Sequence, residues 1–270
     1  MIRVLVLLMI LAFASCKHAK QDDTGNTSQD TYQLVWADEF DDNSINSDNW
    51  SFEIWNAGRV NNEWQQYVEN TDNYKVEDGL LHITVTKTGE NARGGYTSTR
   101  LSSKGKREFT YGRFEFRAKM PSGVGTWPAL WMLGANISEV GWPVCGEIDV
   151  MEYVGFQADT THNNVHTKFQ SGVTDYSKDI PLVTAEEDFH VYGLTWTPNS
   201  LDFYLDTPEN ITNSYAPEIR TAENWPFDQP FFLIMNFAVG GNWGGKKGVD
   251  ANIWPQSMLV DYVRAYQIKE

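Results

Sequence analysis

From about residue 32 onward, apolar and polar residues alternate in short runs. Residues 32–36 alternate, and Leu80–Lys87 (Leu-Leu-His-Ile-Thr-Val-Thr-Lys) does so cleanly after the turn pair Asp78-Gly79. Residues 111–120, 189–196 and 201–206 repeat the pattern, and residues 259–268 close the chain in the same way. Phe231–Val239 is different: a continuous apolar run, as expected of a strand buried on both faces. Period-2 runs bounded by Gly, Pro, Asn and Asp, with almost no helical periodicity, predict an all-β sandwich or barrel. No linker divides the region, so residues 32–270 are expected to form one domain.

The first 31 residues read differently. Arg3 followed by the apolar run 4–13 has the form of an export leader, too short to span a bilayer. Ala12-Phe13-Ala14 fits a small-x-small cleavage site, while Phe13-Ala14-Ser15-Cys16 resembles a bacterial lipobox. A lone cysteine placed directly after the apolar run favours the lipoprotein reading, with residues 1–16 as leader and Cys16 as lipid anchor. Residues 17–31 are polar and aperiodic, a flexible tether. Both readings place the protein outside the cytoplasm, in the cell envelope or secreted, touching a membrane only through the anchor.

Within the domain, one stretch concentrates chemistry: Gly146-Glu147-Ile148-Asp149-Val150-Met151-Glu152-Tyr153-Val154-Gly155. On a strand, Glu147 and Asp149 share one face, and Ile148 and Val150 the other. Glu152 has the wrong parity. It joins the acidic face only if one residue is inserted, as a β-bulge at or near Met151 would do. Like charges crowded on one sheet face destabilise it. Three uses fit the pattern: acid/base or nucleophilic work on a glycosidic bond, a hard-cation site, or a solvated acidic face.

Composition narrows these. A net charge of -15 disfavours nucleic acid and anionic surfaces as partners and suits a neutral substrate. Eleven tryptophans exceed the needs of a core. Trp127, Trp131, Trp142 and Trp243 fall among turn residues and are expected on rigid loops, where an indole can stack on a sugar and donate its N–H. Any one of them could instead simply pack a loop; four together favour a binding cleft. Arg100 and His166 are further candidates, since a hairpin-length connection could bring His166 back beside the acidic strand. Cys145 is read as a small buried residue, and no disulfide is expected within the domain. Neither zinc spacing nor a G-x-S-x-G elbow is present.

These residues carry a resemblance. The bulged E-x-D-x-x-E stretch resembles the signature of family 16 glycoside hydrolases, in their laminarinase-like branch. Trp36-Ala37-Asp38-Glu39-Phe40, Asn61-Asn62-Glu63-Trp64-Gln65-Gln66-Tyr67, Tyr111-Gly112-Arg113-Phe114-Glu115, residues 127–133, residues 236–243 and Val260-Asp261-Tyr262-Val263-Arg264 resemble the family in order. The resemblance implies a concanavalin-like β-jelly-roll sandwich of two antiparallel sheets with a concave cleft. It implies retaining endo-hydrolysis of β-1,3-glucan, with mixed-linkage β-1,3-1,4-glucan as a second substrate. Glu147 would be the nucleophile, Glu152 the acid/base and Asp149 the group that tunes them. Trp127, Trp131, Trp142, His166, Arg100, Asn62 and Trp243 would line the subsites, with the choice between Asn61 and Asn62 open. Catalysis would need no cofactor, though a structural Ca²⁺ on Glu39, the Gly79 carbonyl and Asp261 is implied. A monomer is expected. A non-catalytic glucan-binding protein, a transglycosylase and a β-galactan hydrolase on the same scaffold remain as alternatives.

Overall fold

A computed structural model describes residues 31–172 and 174–269. The leader, Cys16 and all of the tether but Thr31 lie outside the described residues. The described chain is all-β, as the alternation predicts. One sheet has ten strands and the other eight. The ten-stranded sheet runs Ile211–Tyr215, Leu201–Leu205, His190–Trp196, Gly112–Lys119, Gln256–Ile268, Leu80–Lys87, Tyr96–Ser98, Gln65–Tyr67. The first strand, Tyr32–Asp38, joins it on Gln256–Ile268. The eight-stranded sheet runs Lys178–Pro181, Thr160–His166, Glu147–Tyr153, Thr126–Gly134, Phe231–Val239, Arg100–Ser102, Ser51–Phe52. Among these named strands pairing is antiparallel except between Gln65–Tyr67 and Tyr96–Ser98, which run parallel.

The two sheets bury one continuous core. Leu81, Ile83 and Val85 supply it from one sheet, and Leu130, Met132, Ile148, Leu233, Met235 and Phe237 from the other. The alternation in Leu80–Lys87 is thus a burial pattern: its odd-numbered residues from Leu81 to Val85 face inward. Phe231–Val239 is buried at every position, as its continuous apolar run requires.

Thr126–Gly134 departs from the expectation of tryptophan-bearing loops. Trp127 and Trp131 stand on a nine-residue strand flanked by Glu147–Tyr153 and Phe231–Val239. Its residues are buried at eight of nine positions, so no alternation marks it, and Pro128 argues against a strand interior. The register explains the proline: pairing with the acidic strand begins only at Ala129 opposite Glu152. At Pro128 the strand has outrun that neighbour, and the missing N–H breaks no ladder bond on that side.

The acidic strand is bulged where parity demands. Leu130 faces Met151 and Trp131 faces Asp149, so Val150 is the extra residue. The other neighbour shows the same slip, with Asn164 opposite Asp149 and His162 opposite Glu152. Ile148, Val150, Met151 and Tyr153 all enter the core cluster. Two consecutive inward side chains, Val150 and Met151, return Glu152 to the outer face. Glycines close both ends. Gly146 has φ +78°, and a Cβ there would meet Pro226 at 2.7 Å. At Gly155 a Cβ would fall 1.9 Å from the Gly123 carbonyl oxygen.

Ile148 holds the acidic strand onto the core and is fully buried. Ile148→Ala is expected to destabilise the protein by about 2–5 kcal/mol, read as a shift in the denaturant midpoint with unchanged m-value. A change below about 0.5 kcal/mol would show that the strand is not anchored there.

Candidate active site

Glu147, Asp149 and Glu152 project from one face of the eight-stranded sheet into a cleft of about 390 Å³. Trp55, Trp127, Trp131 and Trp142 line it, together with Arg100, Glu63, Asn61 and Asn236. Each terminal glutamate meets an indole N–H: Trp142 Nε1 donates to Glu147 Oε2 at 3.0 Å, and Trp127 Nε1 donates to Glu152 Oε1 at 3.0 Å. The two tryptophans arrive by different routes. Trp127 comes from the neighbouring strand, whereas Trp142 follows the short helix Ile137–Val140 and stays half exposed.

His166 sits opposite Glu147 on the next strand, on the same face. The Gly172 backbone N–H donates to its Nδ1 at 3.1 Å, and the Asn164 amide nitrogen lies 3.3 Å from its Nε2. Nε2 lies 3.0 Å from Asp149 Oδ2 and 3.5 Å from Glu147 Oε1. The contact with Asp149 is close but not aligned as a hydrogen bond, and Oδ2 is a buried oxygen with no aligned donor among the described residues. Such an oxygen is best satisfied by carrying a proton itself.

Burial pushes all three carboxyls up to about 8. For Glu147 and Glu152 that value already includes a rise from Asp149 when it is ionised, and the opposing pull of His166 and of the indole N–H groups. Three acids this close titrate as one unit, so at neutral pH the cluster retains protons. Glu147, Asp149 and His166 also bring one donor atom each within 4.8 Å of one another, an array that could hold a metal ion.

At the other side of the cleft, Arg100 is 6% exposed and lies over two indoles, 4.2 Å from the Trp55 centroid and 4.7 Å from Trp131. Its Nε donates to Glu53. A guanidinium held between tryptophans fixes both as platforms. Trp131 Nε1 donates to Asn236 Oδ1 at 2.7 Å, and Asn236 Nδ2 donates to Tyr67 Oη at 3.0 Å. Sequence reasoning missed Trp55, Glu63 and Asn236 as cleft residues. Their only signal was membership in segments 61–67 and 236–243, or, for Trp55, none.

Three expected subsite residues are absent from the lining: His166 meets Asp149 and Glu147 instead, and Asn62 and Trp243 lie elsewhere. Asn62 is exposed beside the cleft and donates to Asn242 at 2.8 Å, whereas Asn61 lines the wall. Trp243, in the short helix Gly241–Gly244, is not a lining residue; it packs edge-on against Trp127 at 5.5 Å. Two of the three residues put forward for calcium carry arginine partners. Glu39 accepts two hydrogen bonds from Arg264, at 2.7 and 2.9 Å, and Asp261 accepts one from Arg117 at 2.5 Å. Guanidinium groups already supply the positive charge that a dication would bring.

Coupled carboxyls in a tryptophan-lined cleft on a β-sandwich define a carbohydrate-cleaving hydrolase. The family model for glycosyl hydrolases family 16 matches residues 61–264, and the chain belongs to that family. A β-glucanase of Rhodothermus marinus is 43% identical over 249 residues, covering 87% of this chain and 85% of the relative. The crystal structure of a laminarinase from Flavobacterium sp. UMI-01 superposes with a TM-score of 0.81 at 43% identity, covering 87% of this chain and 100% of that one. The laminarinase of Rhodothermus marinus gives 0.82 at 42% identity, covering 88% and 98%.

The raised Asp149 carboxyl has a signed consequence. Its neutral form is favoured on folding, so that contribution is complete below about pH 4 and is lost as pH rises through about 8. Asp149→Asn is therefore expected to raise Tm at pH 9 by about 2–4 °C per kcal/mol relieved, and to leave it unchanged near pH 4. Equal Tm values at both pH values would show that Asp149 ionises as freely in the folded protein as in the unfolded one.

Proposed function

We propose that the protein cleaves laminarin-like β-1,3-glucan internally by double displacement, and accepts mixed-linkage β-1,3-1,4-glucan as well. The observation that carries this reading is the bulged strand that sets Glu147 and Glu152 on one cleft face, each on an indole N–H, with Asp149 between them. The names of the similar proteins support the substrate class, and the indole-rich wall suits a glucan.

The roles follow from the donors. Glu147 has the Trp142 N–H as a donor and, at 3.5 Å, the His166 ring beside it, both of which favour its anion. Glu152 has the Trp127 N–H alone, which leaves its anion with less support and favours keeping a proton. Glu147 then attacks the anomeric carbon as Glu152 passes its proton to the departing glycosidic oxygen. A glycosyl ester on Glu147 results. Glu152, now a carboxylate, takes a proton from water, whose oxygen displaces Glu147 and restores both groups. Asp149, held neutral, sits beside the nucleophile without repelling it and can share its proton as charge moves through the cluster.

Glu147→Gln is expected to lower turnover on laminarin by ~10³-fold or more, with KM changed far less. Reducing-sugar release measures the loss, and NMR of the first-formed wild-type product should show the β-anomer. An α-anomer would sink the retaining assignment, and near-normal turnover of Glu147→Gln would remove the nucleophile.

We further propose export with a lipid anchor at Cys16, supported by Arg3, the apolar run 4–13 and the Ser15-Cys16 pair. Cys16→Ser should move the protein from the membrane fraction to the soluble fraction; unchanged partitioning in detergent extraction would count against the anchor.

A further inference from the structure

The mechanism above leaves unused a buried histidine, His162, and its exposed carboxylate partner, Asp179. His162 lies directly opposite Glu152 on the neighbouring strand, and Asp179 lies directly opposite His162 on the strand beyond. Residues opposite one another share a face, so Glu152, His162 and Asp179 form a row across the cleft side of the sheet. The His162 ring is 3% exposed, and its Nδ1 lies 2.9 Å from Asp179 Oδ1. Asp179 therefore receives the Nδ1 proton, which leaves Nε2 as a bare acceptor. That nitrogen is buried and has no hydrogen-bond partner among the described residues. A sheet position that leaves a ring nitrogen unpartnered is a poor place for histidine unless the Asp179 bond, which sets the plane of the ring, has a use.

The ring plane has a consequence. Trp243 packs edge-on against His162 with centroids 4.9 Å apart, and edge-on against Trp127 at 5.5 Å. Trp127 is the residue whose Nε1–H meets Glu152. Val154 and Ala238 complete the buried cluster around Trp127, and Phe156 and Trp243 pack against it; of these, Trp243 is the one that also meets His162. We propose that the His162–Asp179 pair is a positioning device for the acid/base carboxyl, acting through Trp243 and Trp127. Asp179 sets the plane of His162. His162 sets the edge against which Trp243 rests, and Trp243 in turn holds the Trp127 N–H on Glu152 Oε1, leaving Oε2 to carry the proton. This explains why Trp243 packs behind the cleft wall, and it gives His162 and Asp179 a part in the reaction although neither touches sugar. The inference rests on Glu152 being the acid/base.

The test uses the dependence of general-acid catalysis on the leaving group. Laminarin requires a proton for the departing oxygen. The 2,4-dinitrophenyl β-glycoside of laminaribiose does not, because its phenolate leaves as an anion. Sodium azide, attacking the glycosyl ester on Glu147 to give the glycosyl azide, removes the need for a base in the second step. His162→Ala and Asp179→Ala are expected to cut kcat on laminarin about tenfold and to leave kcat on the dinitrophenyl substrate with azide within about twofold of wild type. Asp179 has a side chain 69% exposed, so Asp179→Ala disturbs little packing and carries the test if His162→Ala does not fold. Equal losses on both substrates, or no loss on laminarin, would overturn the proposal. Glu152→Ala in the same assay separates the two claims. Retained activity on the dinitrophenyl substrate upholds the acid/base role on which the proposal stands; loss on both substrates removes that role and the positioning chain with it.

Discussion

Mutual repulsion among three carboxyls on one strand is the constraint to which the site and its sheet answer. Glu147, Asp149 and Glu152 would scatter over both faces of a regular strand, and one would be driven into the core. The extra residue at Val150 prevents this by sending two adjacent apolar side chains inward, so that the third carboxyl comes back to the cleft. The same bulge appears against both neighbouring strands. Core and site are therefore one decision: the hydrophobic burial of Ile148, Val150, Met151 and Tyr153 holds the acids where charge repulsion would not leave them.

The neighbourhood then shares out proton affinity. Burial raises all three carboxyls, and directed donors lower them selectively. The lowering groups come from whichever element can reach: an indole from the adjacent strand, an indole from a loop, and an imidazole held by the Gly172 backbone N–H. An array fixed in this way needs little reorganisation when charge moves during the reaction. Arg100 performs a parallel task for binding. Clamped by Glu53, it lies over Trp55 and Trp131, turning two flexible side chains into rigid platforms.

The tryptophans show how position alters meaning. Trp142 is half exposed on a loop, Trp127 and Trp131 stand on a buried strand, and Trp243 braces another indole from behind. All four read alike in the sequence, because each lies among glycines and prolines. Only strand pairing separates a stacking platform from a brace.

Much of this molecule is legible in the chain itself. Period-2 alternation predicted the strands Leu80–Lys87 and His190–Trp196, and the continuous apolar run predicted Phe231–Val239, because side-chain direction on a strand depends only on residue count. The parity of Glu152 likewise calls for the bulge, because three acids share a face only with one inserted residue. The strand Thr126–Gly134 escaped detection because a strand buried on both faces does not alternate, and because Pro128 mimics a turn. Tertiary structure alone decided that Arg264 and Arg117 claim Glu39 and Asp261, that Asn61 rather than Asn62 lines the cleft, and that Glu63 and Asn236 enter it. Those outcomes depend on which residues distant in sequence meet across sheets, and local spacing carries no record of such meetings.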